Sequence, residues 1–155
     1  MAGIGRERLL LPACVLLAVG VVATAIALHK PEDGVPQQHI AIPRGGAEAL
    51  LDEAVRLAGV GDIDGMCRSI AASTGMCTRL LHGEDSAPGP VRPTVVGVSR
   101  HVDENSNPTL VLHLEGTRAD GSPYDSDFAV VRRVDDPTRL ASLTAAYWSG
   151  VRFRF

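Results

Sequence analysis

Leu9 to Leu28 is a run of twenty residues without a single charge. A helix rises about 1.5 Å per residue, so this run is about 30 Å long, the thickness of a bilayer's hydrocarbon core. A lone segment in that medium satisfies its backbone polar groups only by coiling into a helix. Pro12 falls in the first turn, where a missing N–H costs nothing. The chain is therefore expected to divide into four parts. These are a cytoplasmic tail (residues 1–8), a transmembrane helix or signal anchor (9–28), an extended linker (29–45) and an extracytoplasmic domain (46–155).

Arg6, Arg8 and the α-amino group precede the run, whereas Lys30 after it is offset by Glu32 and Asp33. This asymmetry favours a cytoplasmic N-terminus and an exported domain. Ala23-Thr24-Ala25 and Ala25-Ile26-Ala27 also fit a small-x-small cleavage pattern, so secretion after signal cleavage is the alternative. The length favours retention in the cell membrane, because a signal peptide's apolar region spans only about 7–15 residues. Leu11-Pro12-Ala13-Cys14 approaches a lipoprotein box, but too few apolar residues precede Cys14 and the run continues past it.

Beyond residue 30 the balance is 12 basic to 17 acidic residues, net −5. A mildly acidic domain is unsuited to nucleic acid, which needs a basic face. Cys67 and Cys77 remain as an even pair. In an oxidising compartment they suit a disulfide, and two buried thiols are the other reading. Zinc needs more ligands at closer spacing, and a redox pair is normally C-x-x-C. Ten residues apart in one helix, the two cysteines would be about 15 Å apart, beyond bonding reach. A break at Ser73 to Gly75 is needed to fold the second one back.

His29 to Gly45 carries Pro31, Pro36 and Pro43 and no helical period. From Gly46, Ala47, Leu50, Leu51, Ala54, Val55 and Ala58 recur at the spacing of one helix face. Gly59 and Gly61 end that helix, and Asp62 reads as the N-cap of a second one through Ala71. Met76 to Leu81 reads as a short third helix. After a proline-rich connector the period changes to two. Strands are expected over Thr94–Val102, Thr109–Gly116 and Tyr124–Val134, with a hairpin at Ala119 to Ser122. A last strand is expected in Leu140–Phe155, ending in the alternation of Val151, Phe153 and Phe155 with Arg152 and Arg154. Helices followed by antiparallel strands make an α+β domain, two or three helices packed on a curved antiparallel sheet.

Two stretches carry a family resemblance. One is Ala54 to Cys67, a helix, a Gly-Asp turn and a second helix bearing Cys. The other is Glu115-Gly116-Thr117 with Tyr124 to Val131, then Tyr147-Trp148-Ser149-Gly150. Over Gly46 to Phe155 the chain resembles the nuclear-transport-factor-2-like (SnoaL-like) domain of small exported proteins from GC-rich Gram-positive bacteria. The resemblance implies a cone in which helices fill the hollow of the sheet. The family includes isomerases, cyclases and dehydratases beside many non-enzymatic members. Its membrane-anchored members include conjugation-machinery subunits and accessory proteins of lipid importers.

Candidate chemistry is sparse. His113 lies opposite the leucine face of its strand, where it reads as a solvated residue or as a base in a cone pocket. Tyr124, Asp125 and Asp127 are similar to the Tyr/Asp pairs of cone-fold isomerases, although such a stretch after a turn is usually solvated. Asp62-Ile63-Asp64-Gly65 lacks the remaining ligands of a calcium loop and reads as a helix cap. Arg132, Arg133, Arg152 and Arg154 form a solvated face or a basic stripe toward lipid phosphate or an acidic partner. Tyr147 and Trp148 read as core or rim aromatics. No catalytic residue, cofactor or metal is expected.

The reading that follows is a membrane-tethered interaction module, an accessory or assembly protein of the cell envelope with a protein partner there. A ligand- or lipid-binding cone is the alternative, and an isomerase- or cyclase-type enzyme comes after it. The topology is checked by replacing Gln38 with cysteine. An impermeant maleimide should label this position in intact cells, and labelling only after lysis would reverse the orientation.

Overall fold

Apolar spacing of 3.6 gives way to spacing of 2 along this chain, and the architecture follows that order. The computed structural model describes residues 41–82 and 87–153. Among them, three helices pack on a four-stranded antiparallel open sheet, an α+β arrangement. The charge-free run and most of the linker lie outside the described residues. Among the described residues, no helix is long and apolar enough to cross a membrane.

Helix α1, Arg44–Gly59, buries Ala47, Leu51, Ala54, Leu57 and Ala58. It starts two residues before the expected Gly46. Pro43 occupies the N-cap with extended backbone and its carbonyl accepts from Ala47 N at 3.2 Å. Ile42 is already buried, so the domain's packing begins inside the stretch read as linker. Gly61 takes a positive φ of 73°, which lets Asp62 N reach back to Leu57 O at 2.9 Å and close the helix end.

Asp62 caps helix α2, Ile63–Ser69, by accepting from Gly65 N at 2.9 Å. Helix α3, Thr74–His82, begins a half-turn before the expected Met76, because Ser73 serves as its cap through Met76 N. The break between them therefore falls at residues 70–73, just ahead of the expected position. It is enough to fold the chain back. Cys67 and Cys77 lie 5.5 Å apart at Cα and are joined as a disulfide, buried under the helices.

Strands β1 (Thr94–Val102), β2 (Pro108–Thr117), β3 (Pro123–Arg132) and β4 (Leu140–Ser142) follow as a meander in the order β1-β2-β3-β4. The β2–β3 hairpin turns at Gly121, whose φ is 86°, with Arg118 N bonded to Ser122 O at 2.8 Å. Leu110 faces Val130, Leu112 faces Phe128 and Leu114 faces Ser126 across the β2–β3 ladder. The three leucines, Phe128 and Val130 meet Leu51, Met66 and Ile70 of the helical layer in one core. The chain between α2 and α3 is stitched to the sheet. Ser142 N donates to Ile70 O at 2.7 Å, and Ala72 N donates back to Ser142 O at 2.8 Å.

The expected final strand is corrected. Among the described residues of that segment, only Leu140–Ser142 joins the ladder, and residues 143–150 run as turns. Those turns bury Ala145, Ala146, Tyr147 and Trp148, with the two rings edge to face at 4.9 Å. Burying two large aromatics outweighs a few more ladder bonds, so the alternation of Val151 and Phe153 is not read out as a strand. The loss of the disulfide has a defined expected size. Closing so short a loop restricts the unfolded chain by about 2.5–3 kcal/mol. The Cys67→Ala/Cys77→Ala double variant should lose at least that in urea unfolding followed through Trp148. Unchanged stability would count against the bond.

Candidate functional site

Side chains alternate across a strand, so the leucines of β2 leave His113 on the face turned away from the helices. His113 stands directly opposite Asp127 of β3. Its Nδ1 is 2.7 Å from Asp127 Oδ1. The other carboxylate oxygen accepts the backbone N–H of Phe153 at 2.7 Å, and Arg152 Nη1 lies 3.4 Å from Oδ1. Asp127 is only 2% exposed. The expectation of a solvated stretch fails at Tyr124 and Asp127 and holds at Asp125. Alternation turns Asp127 beneath residues 151–153, and a buried carboxylate requires such donors.

Tyr124 does not join this pair. It faces the helix side, against Gly116, where an added Cβ would lie 2.5 Å from the phenol ring. Arg118 stands 5.5 Å from the ring centre. Burial pushes the Tyr124 hydroxyl up to about 12, opposed in part by the Arg118 charge. Asp125 is exposed beside it. The Tyr/Asp constellation therefore splits across two faces, and His113 points away from the interior of the helix–sheet sandwich.

Sequence reasoning passed over two further residues. Ser99 Oγ lies 3.0 Å from His113 Nε2, and His101 Nε2 lies 3.1 Å from the same oxygen. Ser99 pairs with Val111, so His113 reaches it along the diagonal of the ladder. Gly97 is the residue directly opposite His113. A Cβ there would meet the imidazole at 3.2 Å, so glycine leaves the ring room to lie across β1. The register of β1 shifts between Val95 and Gly97. That irregularity sets which face Ser99 occupies, and strand alternation alone could not locate it.

The directions of these hydrogen bonds follow from the groups. A carboxylate only accepts, so Nδ1 of His113 carries hydrogen and donates to Asp127. When Nδ1 alone carries hydrogen, Nε2 accepts from the Ser99 hydroxyl. Ser99 oxygen in turn accepts from His101 Nε2–H. One directed chain, His101 to Ser99 to His113 to Asp127, crosses three adjacent strands. It can pass a proton from a hydroxyl to an imidazole whose cation is stabilised by a buried carboxylate.

The remaining candidates go elsewhere. Asp62 is occupied as a helix cap. Among the described residues, no three His, Cys, Asp or Glu side chains gather as a metal ligand set. Arg132 donates to Pro137 O, Arg133 pairs with Asp135 and Arg152 turns to Asp127, so these three form no common stripe. Arg154 lies outside the described residues. A surface cleft of about 370 Å³ sits at the other end of the sheet, lined by Val91, Arg92, Glu115, Tyr124 and Asp125 among others. No protein-family model, curated protein or solved structure matches the chain.

The tyrosines give a direct check on this packing. The chain has two, and burial raises both hydroxyls, Tyr147 further than Tyr124. A raised folded value means the stabilisation is complete below the ordinary 10 and is lost as pH climbs toward about 12. Ultraviolet difference titration should find little phenolate at pH 10 while the domain is folded. Half-ionisation there would contradict the burial.

Proposed function

We propose that the protein is a membrane-tethered extracytoplasmic module that works by presenting its surface to another component of the cell envelope. In this reading the domain is a cone of the nuclear-transport-factor-2-like kind, held to the bilayer by Leu9–Leu28. The observation that carries it is the filled interior. Leu51, Met66, Leu112, Phe128, Tyr147 and Trp148 are each almost completely buried in the space between helices and sheet. A ligand-binding cone needs that space empty and lined by a few convergent polar groups. The disulfide supports an oxidising compartment, since cytosolic thiols are kept reduced.

Interaction through the surface is tested by site-specific photo-crosslinking in intact cells. A photoreactive residue at Val96, Val102 or Val60, which are all well exposed, should give a discrete adduct with an envelope protein. The same adduct should fall away when residues 9–28 are replaced by a cleavable signal peptide. Saturable binding of a small hydrophobic probe, with no protein adduct from any of the three positions, would sink the reading in favour of a ligand carrier.

A further inference from the structure

We infer that Ser99 is an activated nucleophile, and that Ser99, His113 and Asp127 form an acyl-transfer site on the outer face of the sheet. This goes beyond the interaction reading and rests on different atoms. Three contacts carry it. Ser99 Oγ is 3.0 Å from His113 Nε2, and His113 Nδ1 is 2.7 Å from Asp127 Oδ1. Asp127 is buried and fixed through its second oxygen by Phe153 N–H at 2.7 Å. A nucleophile, a base within hydrogen-bond reach and a buried group that orients the base constitute the triad relationship, which is recognised by geometry and not by order in the chain. The His113 side chain is 34% exposed and Ser99 is half-buried, so the reacting end opens outward while the orienting end is sealed.

The step balances without another reactant. Ser99 Oγ attacks the carbonyl carbon of an ester as its proton passes to His113 Nε2. The imidazolium is held through Nδ1–H by Asp127. That proton then goes to the departing alkoxide as the bond between the carbonyl carbon and the alcohol oxygen breaks. An acyl-Ser99 and an alcohol result. Water, deprotonated by the same Nε2, cleaves the acyl group as an acid and restores the hydroxyl. The negative charge of the tetrahedral intermediate sits on an oxygen bonded to the same carbon as Oγ. His101, whose Nε2 is 3.1 Å from Oγ, is the second hydrogen-bond partner at that atom and in this proposal serves as the donor to that charge. Ser99 lies on β1, an outermost strand of the sheet. A site on an open face suits a short-chain acyl ester reached from solvent.

The experiment uses the full-length protein in detergent micelles, a fluorophosphonate probe and p-nitrophenyl acetate. Mass spectrometry should locate the phosphonyl group on Ser99, with labelling slowed about 100-fold or more in His113→Gln. Ester hydrolysis should vanish in Ser99→Ala and fall in His101→Gln. An unlabelled Ser99 in the folded native protein overturns the proposal, and so does hydrolysis that persists in folded Ser99→Ala, because that activity would be surface imidazole catalysis. Should Ser99→Ala fail to fold, Ser99→Cys supplies the reading. Its new thiol should react with iodoacetamide about tenfold faster than in the Ser99→Cys/His113→Gln double variant. Equal rates would overturn the assignment.

Discussion

The pairing of β2 with β3 fixes both faces of the sheet at once. Leu112 lies opposite Phe128 under the helices, and His113 must then lie opposite Asp127 on the other side. Because side chains alternate with a period of two, sliding one strand by a single residue would exchange the faces. Leu110, Leu112 and Leu114 would turn outward, and each buried leucine contributes about 1.5–3 kcal/mol relative to exposure. Hydrophobic burial on the helix side therefore holds the polar chain on the outer side in place.

Asp127 shows how one buried carboxylate organises the segment around it. Its side chain accepts from His113 and from the backbone of Phe153. Its backbone N–H bonds Val151 O at 2.8 Å, and its carbonyl accepts the Thr144 hydroxyl at 2.6 Å. The residues between Thr144 and Val151 are thus pinned at both ends to one position of β3. They loop inward between those ends and place Tyr147 and Trp148 in the core. An uncompensated carboxylate at that depth would be strongly unfavourable, which explains why the C-terminal residues follow Asp127 and not a regular ladder.

The helical layer depends on a different constraint. Residues 70–73 interrupt what would otherwise be one long amphipathic helix, and the disulfide closes across the interruption. The interruption also donates to and accepts from Ser142, so the turn between α2 and α3 is at the same time a contact with the sheet. Two short helices that could not persist alone in water are held by this combination of covalent closure, packing and backbone bonding. The result is a filled interior, and it directs the functional reading toward the surface.

Local chemistry was legible because it acts through near neighbours. The spacing of Ala47, Leu51 and Ala54, the cap at Asp62, the Asp-Gly turn and the alternation of Leu110, Leu112 and Leu114 are all settled within a few residues. The helix break that lets Cys77 fold back toward Cys67 was legible in the same local way, whereas their pairing was argued from the even count and an oxidising compartment. The placement of His113 away from the leucine face was equally plain. The partners of His113 were not, because Ser99 and Asp127 reach it only through strand register, and Phe153 reaches Asp127 only through the return of the C-terminal segment. A shift in register near Gly97 decides the face of Ser99, and burial of Tyr147 and Trp148 decides where Phe153 lies. By itself, then, the sequence determined which segments coil, extend and turn, since those choices depend on periodicity and on the backbone preferences of individual residues. The tertiary structure alone decided which polar groups meet, since a contact between residues 99, 113, 127 and 153 is the sum of three strand registers and one packed turn.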